Sequence, residues 1–309
     1  MDVPTQIGKS SIHRVRRGDS FMTLRCVTYI IISLSTLTLV GVLYLVTRWS
    51  MITGFDKVER EETARHVQRV RDALNAVIVG MSSKTVDWAA WDDTARYVTD
   101  GNDEYVKSNL GPESIINLNV DAVIFIDAQG NLVQARGRAD PAQGACDPPQ
   151  DLLALTLGTP RIMKHPSAQS SVCGTVVLES GIWMLSSRPI VASDLKGPIR
   201  GTLVFARRIS KEFVREIADQ THLDVEIYPR HEALKTGESP DVAEALATAG
   251  LAVKVIGDQK IAGFALIPDV LGNDSLVVQA AMPRRIYQEG MTSMRFQLLA
   301  ITGTCVCVG

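Results

Sequence analysis

The apolar positions of this chain follow three different patterns, and each predicts a different kind of structure. Over residues 26–47 they are continuous: CVTYIIISLSTLTLVGVLYLVT carries no charged side chain and is bracketed by Arg25 and Arg48. A helix of that length rises about 30 Å, the thickness of a bilayer's hydrocarbon core. Residues 26–47 are therefore expected to be a transmembrane helix. A cleaved signal peptide would have a shorter apolar core followed by a small-residue cleavage site. This segment is long, starts late and runs into WSMITGF, which favours an uncleaved anchor. A second apolar run, FQLLAITGTCVCVG at residues 296–309, reads as the truncated start of a second membrane helix, so the chain reads as a fragment or a truncated product.

After the anchor the pattern becomes helical and one-sided. Val67, Val70, Leu74, Val77 and Met81 recur in steps of three and four, a seam along one helix face. Charged residues, Glu59 to Glu62 and Arg65 to Asp72 among them, fill the other faces. No proline interrupts residues 49–82, and Gly54 costs only about 1 kcal/mol. A single helix is thus predicted from the membrane segment to Met81, rising about 80 Å. Its seam packs on its own domain, on a second copy of the chain, or on both; the pattern alone leaves these open.

Beyond residue 120 the period changes to two. DAVIFIDAQGNLVQA reads as a strand, a turn at residues 128–131 and a second strand. Further strands are predicted at 171–178, 182–187, 199–206, 223–228, 251–256, 261–267 and 275–281. Short helices are predicted at 103–110, 151–157, 209–220 (with Ser210 as cap) and 240–249. A last helix, opened by Pro283, feeds into the second apolar run. No internal repeat is evident. A long helix, an antiparallel-type sheet with short helices and an exit helix make an α+β fold.

Charge sets the topology. Lys9, Arg14, Arg16, Arg17 and Arg25 outweigh Asp2 and Asp19 in the leading residues, and short basic flanks stay in the cytoplasm. Residues 1–25 are expected to be a cytoplasmic tail and residues 48–295 an exterior domain. The net charge of −2 offers no basic surface for nucleic acid. Of the five cysteines, Cys26, Cys305 and Cys307 sit in apolar runs; Cys146 and Cys173 are the exterior pair, and an oxidising compartment would join them as a disulfide. No metal-ligand spacing, phosphate loop or Ser/His/Asp signature is present, so neither a metal, a cofactor nor catalysis is expected.

The candidate chemistry gathers in KTVDWAAWDDTARYVTDGNDEYVKSNL, residues 84–110. On a continuous helix Trp88, Trp91 and Asp92 share one face. With Asp93, Tyr97 and Tyr105 they combine aromatic faces, which attract cations, with carboxylates, a set suited to an amine ligand. The alternative is that the tryptophans are core and the acids cap helices. Arg188 is a further ligand candidate, as a bidentate carboxylate clamp, or else a partner of the acids in this segment.

The cluster DWAAWDDTARYV, with Asn102, Tyr105, Asn109 and VDAVIFIDAQGN after it, resembles a type-4 CHASE domain. SSRPI (186–190), GTLVFARRI (201–209) and AMPRRIYQEG (281–290) fit the same family's later strands and exit helix. The resemblance spans roughly residues 50–295; Ala95 departs from it where the family often has an aromatic residue. It implies a PAS-like sensor sheet related to the Cache group, set between two membrane helices of a bacterial inner-membrane receptor. It also implies a cytoplasmic output module, either a cyclic di-GMP-turnover module or a histidine kinase. Two functions follow. One is a sensory input module that binds a small ligand or a periplasmic protein, as a homodimer among membrane lipids. The other is a module that only enforces dimerisation and binds no ligand.

Overall fold

The computed structural model describes residues 19–138, 146–233, 240–257 and 259–308. The N-terminal tail up to Gly18 and residues 139–145 before Cys146 lie outside the described residues. The chain divides into two compact units, Met1–Lys57 with Ile286–Gly309, and Val58–Arg285.

Helix α1 (Asp19–Ala89) is continuous through the predicted anchor and seam. In the first unit most of its apolar side chains are exposed: Leu39 is 68% exposed, and none of the most apolar window is buried. Among the described residues it is the helix long and apolar enough to cross a membrane, with a mean hydropathy of 2.2 over that window. Gly290, on the last helix, lies where any Cβ would strike the ring of Phe55, so the two helices of this unit meet at a glycine.

The second unit follows in chain order. After α1 come α2 (Asp92–Asp100), α3 (Asp103–Asn109) and α4 (Pro112–Leu118). Then come β1 (Ala122–Asp127), β2 (Leu132–Gly137), α5 (Gln150–Gly158), α6 (Pro160–Met163), β3 (Val172–Leu178), β4 (Gly181–Ile190) and β5 (Gly201–Arg208). Helix α7 (Lys211–Thr221) leads to β6 (Asp224–Pro229), α8 (Arg230–Ala233), α9 (Pro240–Ala249), β7 (Leu251–Ile256), β8 (Lys260–Pro268) and β9 (Asp274–Pro283). Helix α10 (Arg285–Val308) closes the chain and takes in the second apolar run without a break; its stretch from Phe296 is shorter than the ~20 residues a span needs.

The strands form two antiparallel sheets, not one: β2-β1-β5-β4-β3 and β6-β9-β8-β7. One core serves both. Val67, Val70 and Leu74 of α1 are completely buried and Ile78 and Met81 nearly so, packed with Val123, Phe125, Leu203 and Phe205 of the first sheet and Ala265, Leu276 and Val278 of the second. The seam therefore packs on its own domain. Gly263 on β8 shows how close the fit is, because a Cβ there would stand 3.0 Å from Val67 Cβ and 3.1 Å from the Thr63 carbonyl.

The sheets share a device that the sequence reading missed. The β1–β2 turn, Asp127 to Asn131, and the β8–β9 turn, Asp269 to Asn273, both read Asp-x-x-Gly-Asn. In each, the aspartate accepts from the asparagine's backbone and side-chain N–H groups and from the N–H two residues on. The glycine takes a positive φ, 93° and 94°, that only glycine adopts freely.

The expected Cys146–Cys173 disulfide is not formed. The Cys146 carbonyl accepts from Gly137 at the end of β2, whereas Cys173 is an exposed thiol on β3. Those strands are opposite edges of a five-stranded sheet, about 19 Å apart at ordinary strand spacing, and a disulfide needs Cα atoms within about 7 Å. Where the second unit closes, Arg284 donates from Nε to Glu59 Oε2 of α1 at 2.7 Å, both side chains buried.

Candidate functional site

The expected single helix through Trp88, Trp91 and Asp92 is broken. α1 ends at Ala89, whose carbonyl accepts from the Val191 N–H in the β4–β5 loop. Trp91 is extended, with φ −120° and ψ 131°, and α2 starts at Asp92. Ser193 fixes the junction from both sides: the Asp92 N–H donates to its hydroxyl at 3.2 Å, and its own N–H donates to Asp92 Oδ1 at 2.9 Å. Loop hydrogen bonds thus take over where the helix's own ladder stops. Asp92 is a hinge-pinning acid, and its adjacent partner Asp93 pairs with Arg96 at 3.0 Å on the exposed side of α2.

The aromatic residues do come together. Tyr97 stacks on Tyr105 with centroids 4.5 Å apart, and both meet Phe125 of β1 edge-on. Trp88 lies edge-on between Phe205 of β5 at 6.0 Å and Trp91 at 6.4 Å; Trp91 reaches Tyr105 at 6.1 Å. Such contacts add to simple burial by about 0.5–1.5 kcal/mol per pair. Tyr97 and Tyr105 are core; Trp91, 36% exposed, presents its ring to solvent. The Tyr105 hydroxyl shares a 2.7 Å hydrogen bond with the buried Thr94 hydroxyl. Burial pushes that phenol up to about 12, against the pull of Thr94, and burial likewise raises Tyr97. Both stay neutral across the physiological range.

Outside this stack, α2 and α3 enclose a cleft of about 350 Å³. Trp91, Tyr97 and Tyr105 line it, Asp93, Asp100 and Glu104 supply acids, and Arg96, paired with Asp93, adds a cation. Asn102 caps α3 by accepting from the Glu104 N–H at 2.8 Å, and Gly101 makes the turn in the left-handed region. Asp100 and Glu104 were not among the expected site residues. The density of acids around Asp-Gly-Asn was the available signal.

Arg188 stands apart from the acids. Its guanidinium donates to Ser82 Oγ of α1 at 2.8 Å and 3.2 Å, and reaches the Gln169 carbonyl at 3.5 Å. It straps α1 to the first sheet. Beside it, His165 donates from Nε2 to Ser187 Oγ at 3.0 Å, because the Ser187 hydroxyl hydrogen goes to the Ile162 carbonyl at 2.6 Å. Burial, and then the Arg188 charge, lower His165 to about 4.

A long apolar lead-in helix, two antiparallel sheets and an exit helix make an α+β fold of the kind found in receptor sensory domains. The family model described as CHASE4 domain matches residues 73–228, half of the chain, and the chain belongs to that family. It is similar, 31% identical over 215 residues and 70% of its length, to the methanogenesis regulatory histidine kinase FilI of Methanothrix harundinacea (strain 6Ac). It spans about a quarter (24%) of that relative's length. In fold it is similar to the extracellular domain of vpHK1S-Z8, assigned as a histidine kinase: TM-score 0.53, 10% identity, 78% of this chain and 96% of that one. It is also similar to a domain of a sensory box/GGDEF family protein from Vibrio parahaemolyticus: TM-score 0.52, 8% identity, 75% and 98% covered.

Proposed function

We propose that the chain is the input part of a transmembrane signalling receptor in the bacterial inner membrane. Residues 1–25 lie in the cytoplasm, residues 26–47 span the membrane, residues 48–295 sense on the periplasmic side, and residues 296–309 begin the return crossing. The ligand is a small cation held in the α2–α3 cleft, with Asp93, Asp100 and Glu104 opposing its charge and the exposed face of Trp91 covering it. That cleft carries the reading, because it is built from the segment that pins the end of α1 to the β4–β5 loop. Binding that favours one arrangement of this hinge shifts α1 by the ligand's differential affinity for the two arrangements. The output proposed is histidine kinase chemistry, on the analogy of FilI; cyclic di-GMP turnover is the competing output.

The test is thermal melting of the detergent-solubilised full chain with choline or putrescine. A saturable rise in melting temperature is expected, since a ligand bound only by the folded state stabilises it. Asp93→Asn and Glu104→Gln should each abolish that rise while the ligand-free protein melts as before. No rise with either amine, or a rise that survives both substitutions, removes the cation site. The reading in which the domain only holds two copies together would then stand instead.

A further inference from the structure

The two sheets carry the same hairpin device, yet their faces away from α1 are covered differently. On the first sheet, Leu152 of α5 and Ile162 of α6 fill that face against Ile124, Leu185 and Val204, all fully buried. On the second sheet, α9 covers only part of it, through Val242 and Leu246. Beside it a cleft of about 860 Å³ takes in side chains of all four strands and passes round the β6 edge to Val225, Ile227 and α7.

Its floor departs from the pattern of a covered sheet. Gln279 sits on β9, a central strand, between the apolar Val277 and the small Ala281. Tyr228 of β6 donates its hydroxyl to Gln279 Oε1 at 3.2 Å, which leaves the amide N–H₂ for the cleft. Phe264 of β8 lies directly across from Gln279 and gives the floor its apolar middle. The charges are set at the two sides. Glu226 lines the cleft from edge strand β6 and Lys254 from edge strand β7. Those edges are three strand spacings apart, about 14 Å, so side chains reaching inward leave several ångströms between opposite charges. Among the described residues neither Glu226 nor Lys254 has an ion-pair partner. Lys211 and Arg215 of α7 and Glu232 of α8 add charges of both signs to the lining.

We propose that this cleft binds a small zwitterion whose ammonium and carboxylate groups stand at opposite ends of an apolar body. Glu226 takes the ammonium, Lys254 takes the carboxylate, and Phe264 carries the chain between them. Gln279 donates to the ligand from the floor. The separation of the charges favours a long-bodied amino acid over an α-amino acid, whose two groups are too close to reach both edges. The site shares no lining residue with the α2–α3 cleft.

The probes are ε-aminocaproate, caproate and hexylamine, which share a body and differ only in their charged ends. They would be titrated into the full chain in detergent, with melting temperature and calorimetric affinity as readouts. The zwitterion should bind at least tenfold more tightly than either singly charged probe. Glu226→Gln should bring ε-aminocaproate down to the level of caproate, and Lys254→Gln down to that of hexylamine. Lys196→Gln, a charge removed from an exposed loop, should change nothing. The melting temperature of each ligand-free variant reports whether it folds; both positions are at the protein surface, where such changes cost little. Equal affinity for the three probes, no binding by the folded wild type, or wild-type binding in both cleft variants would overturn the assignment.

Discussion

Replacing Arg284 by methionine should destabilise the domain far more than a typical substitution. Glu59 is 3% exposed and Arg284 5%, and the two meet at 2.7 Å. Methionine retains much of the buried stem but leaves the Glu59 carboxylate in the core without its cation. Glu59 Oε1 already has no hydrogen-bond partner. Breaking a buried pair from one side costs about 3–5 kcal/mol. For a unit the size of Val58–Arg285, each kcal/mol lowers the melting temperature by about 2–4 °C, so the loss should be roughly 10 °C. Glu59→Met should also destabilise, because it takes a buried 2.7 Å contact from the guanidinium. The double substitution removes both charges and should lie close to wild type, since an apolar pair of similar volume is often as stable as the ion pair it replaces. Urea and thermal denaturation of all four proteins close the cycle. Single substitutions that each cost under about 1 kcal/mol, or a double substitution as costly as the sum of the two, would refute the reasoning.

Two other outcomes are expected. Because His165 is held near 4 in the folded state against an ordinary 6.5, the unfolded chain binds its proton first as pH falls; stability is whole above about pH 6.5 and drains away toward pH 4. His165→Gln should flatten that part of the melting-temperature profile, and an unchanged slope would place the acid sensitivity elsewhere. Cysteines at Val70 or Leu74 should not cross-link two copies, because both side chains are fully buried inside their own domain, whereas a homodimer formed on α1 should cross-link through cysteines at Val79 and Ser83 on its exposed side; efficient linkage at Leu74 would mean that the helix leaves its own core in the dimer.

What could be read in the sequence was whatever one element decides by itself. The unbroken helix through the uncharged run, the seam on α1, the positions of the strands to within two or three residues, the Ser210 cap of α7 and both ends of α9 are local patterns, and each is found as read. Helix α4 carried its own signal as well, Gly111-Pro112-Glu113 with proline at the first helical turn, and was passed over. What could not be read depends on distant partners. The break before Asp92 is made by Val191 and Ser193, and the anchoring of Arg188 by Ser82. Period alone says that the seam is buried, not what buries it. The split into two sheets had no local mark beyond the five-residue Asp-x-x-Gly-Asn motif, which is too short to stand out until both turns are seen to fold alike.

The candidate site shows the same division. Its aromatic residues were expected to gather and do, but they gather as core, with Tyr97 and Tyr105 sealed against Phe125 and Trp88 wedged on Phe205. That changes how a ligand would act. A ligand at Trp91 and Asp93 touches only the outer edge of a stack whose inner edge is the first sheet. Any movement it favours is transmitted through close-packed rings and not absorbed by loose side chains. The cleft on the second sheet meets the same constraint from the other direction, because Val278 and Ala280 of β9, on either side of Gln279, face the core that holds Val67 and Val70. Both clefts therefore border layers that rest on one face of α1. Two ligands favouring the same position of that helix would reinforce each other, and two favouring different positions would oppose, by equal and reciprocal amounts. Measuring the affinity of choline with and without ε-aminocaproate would expose that coupling directly, and identical affinities would mean that the two halves of the core move independently.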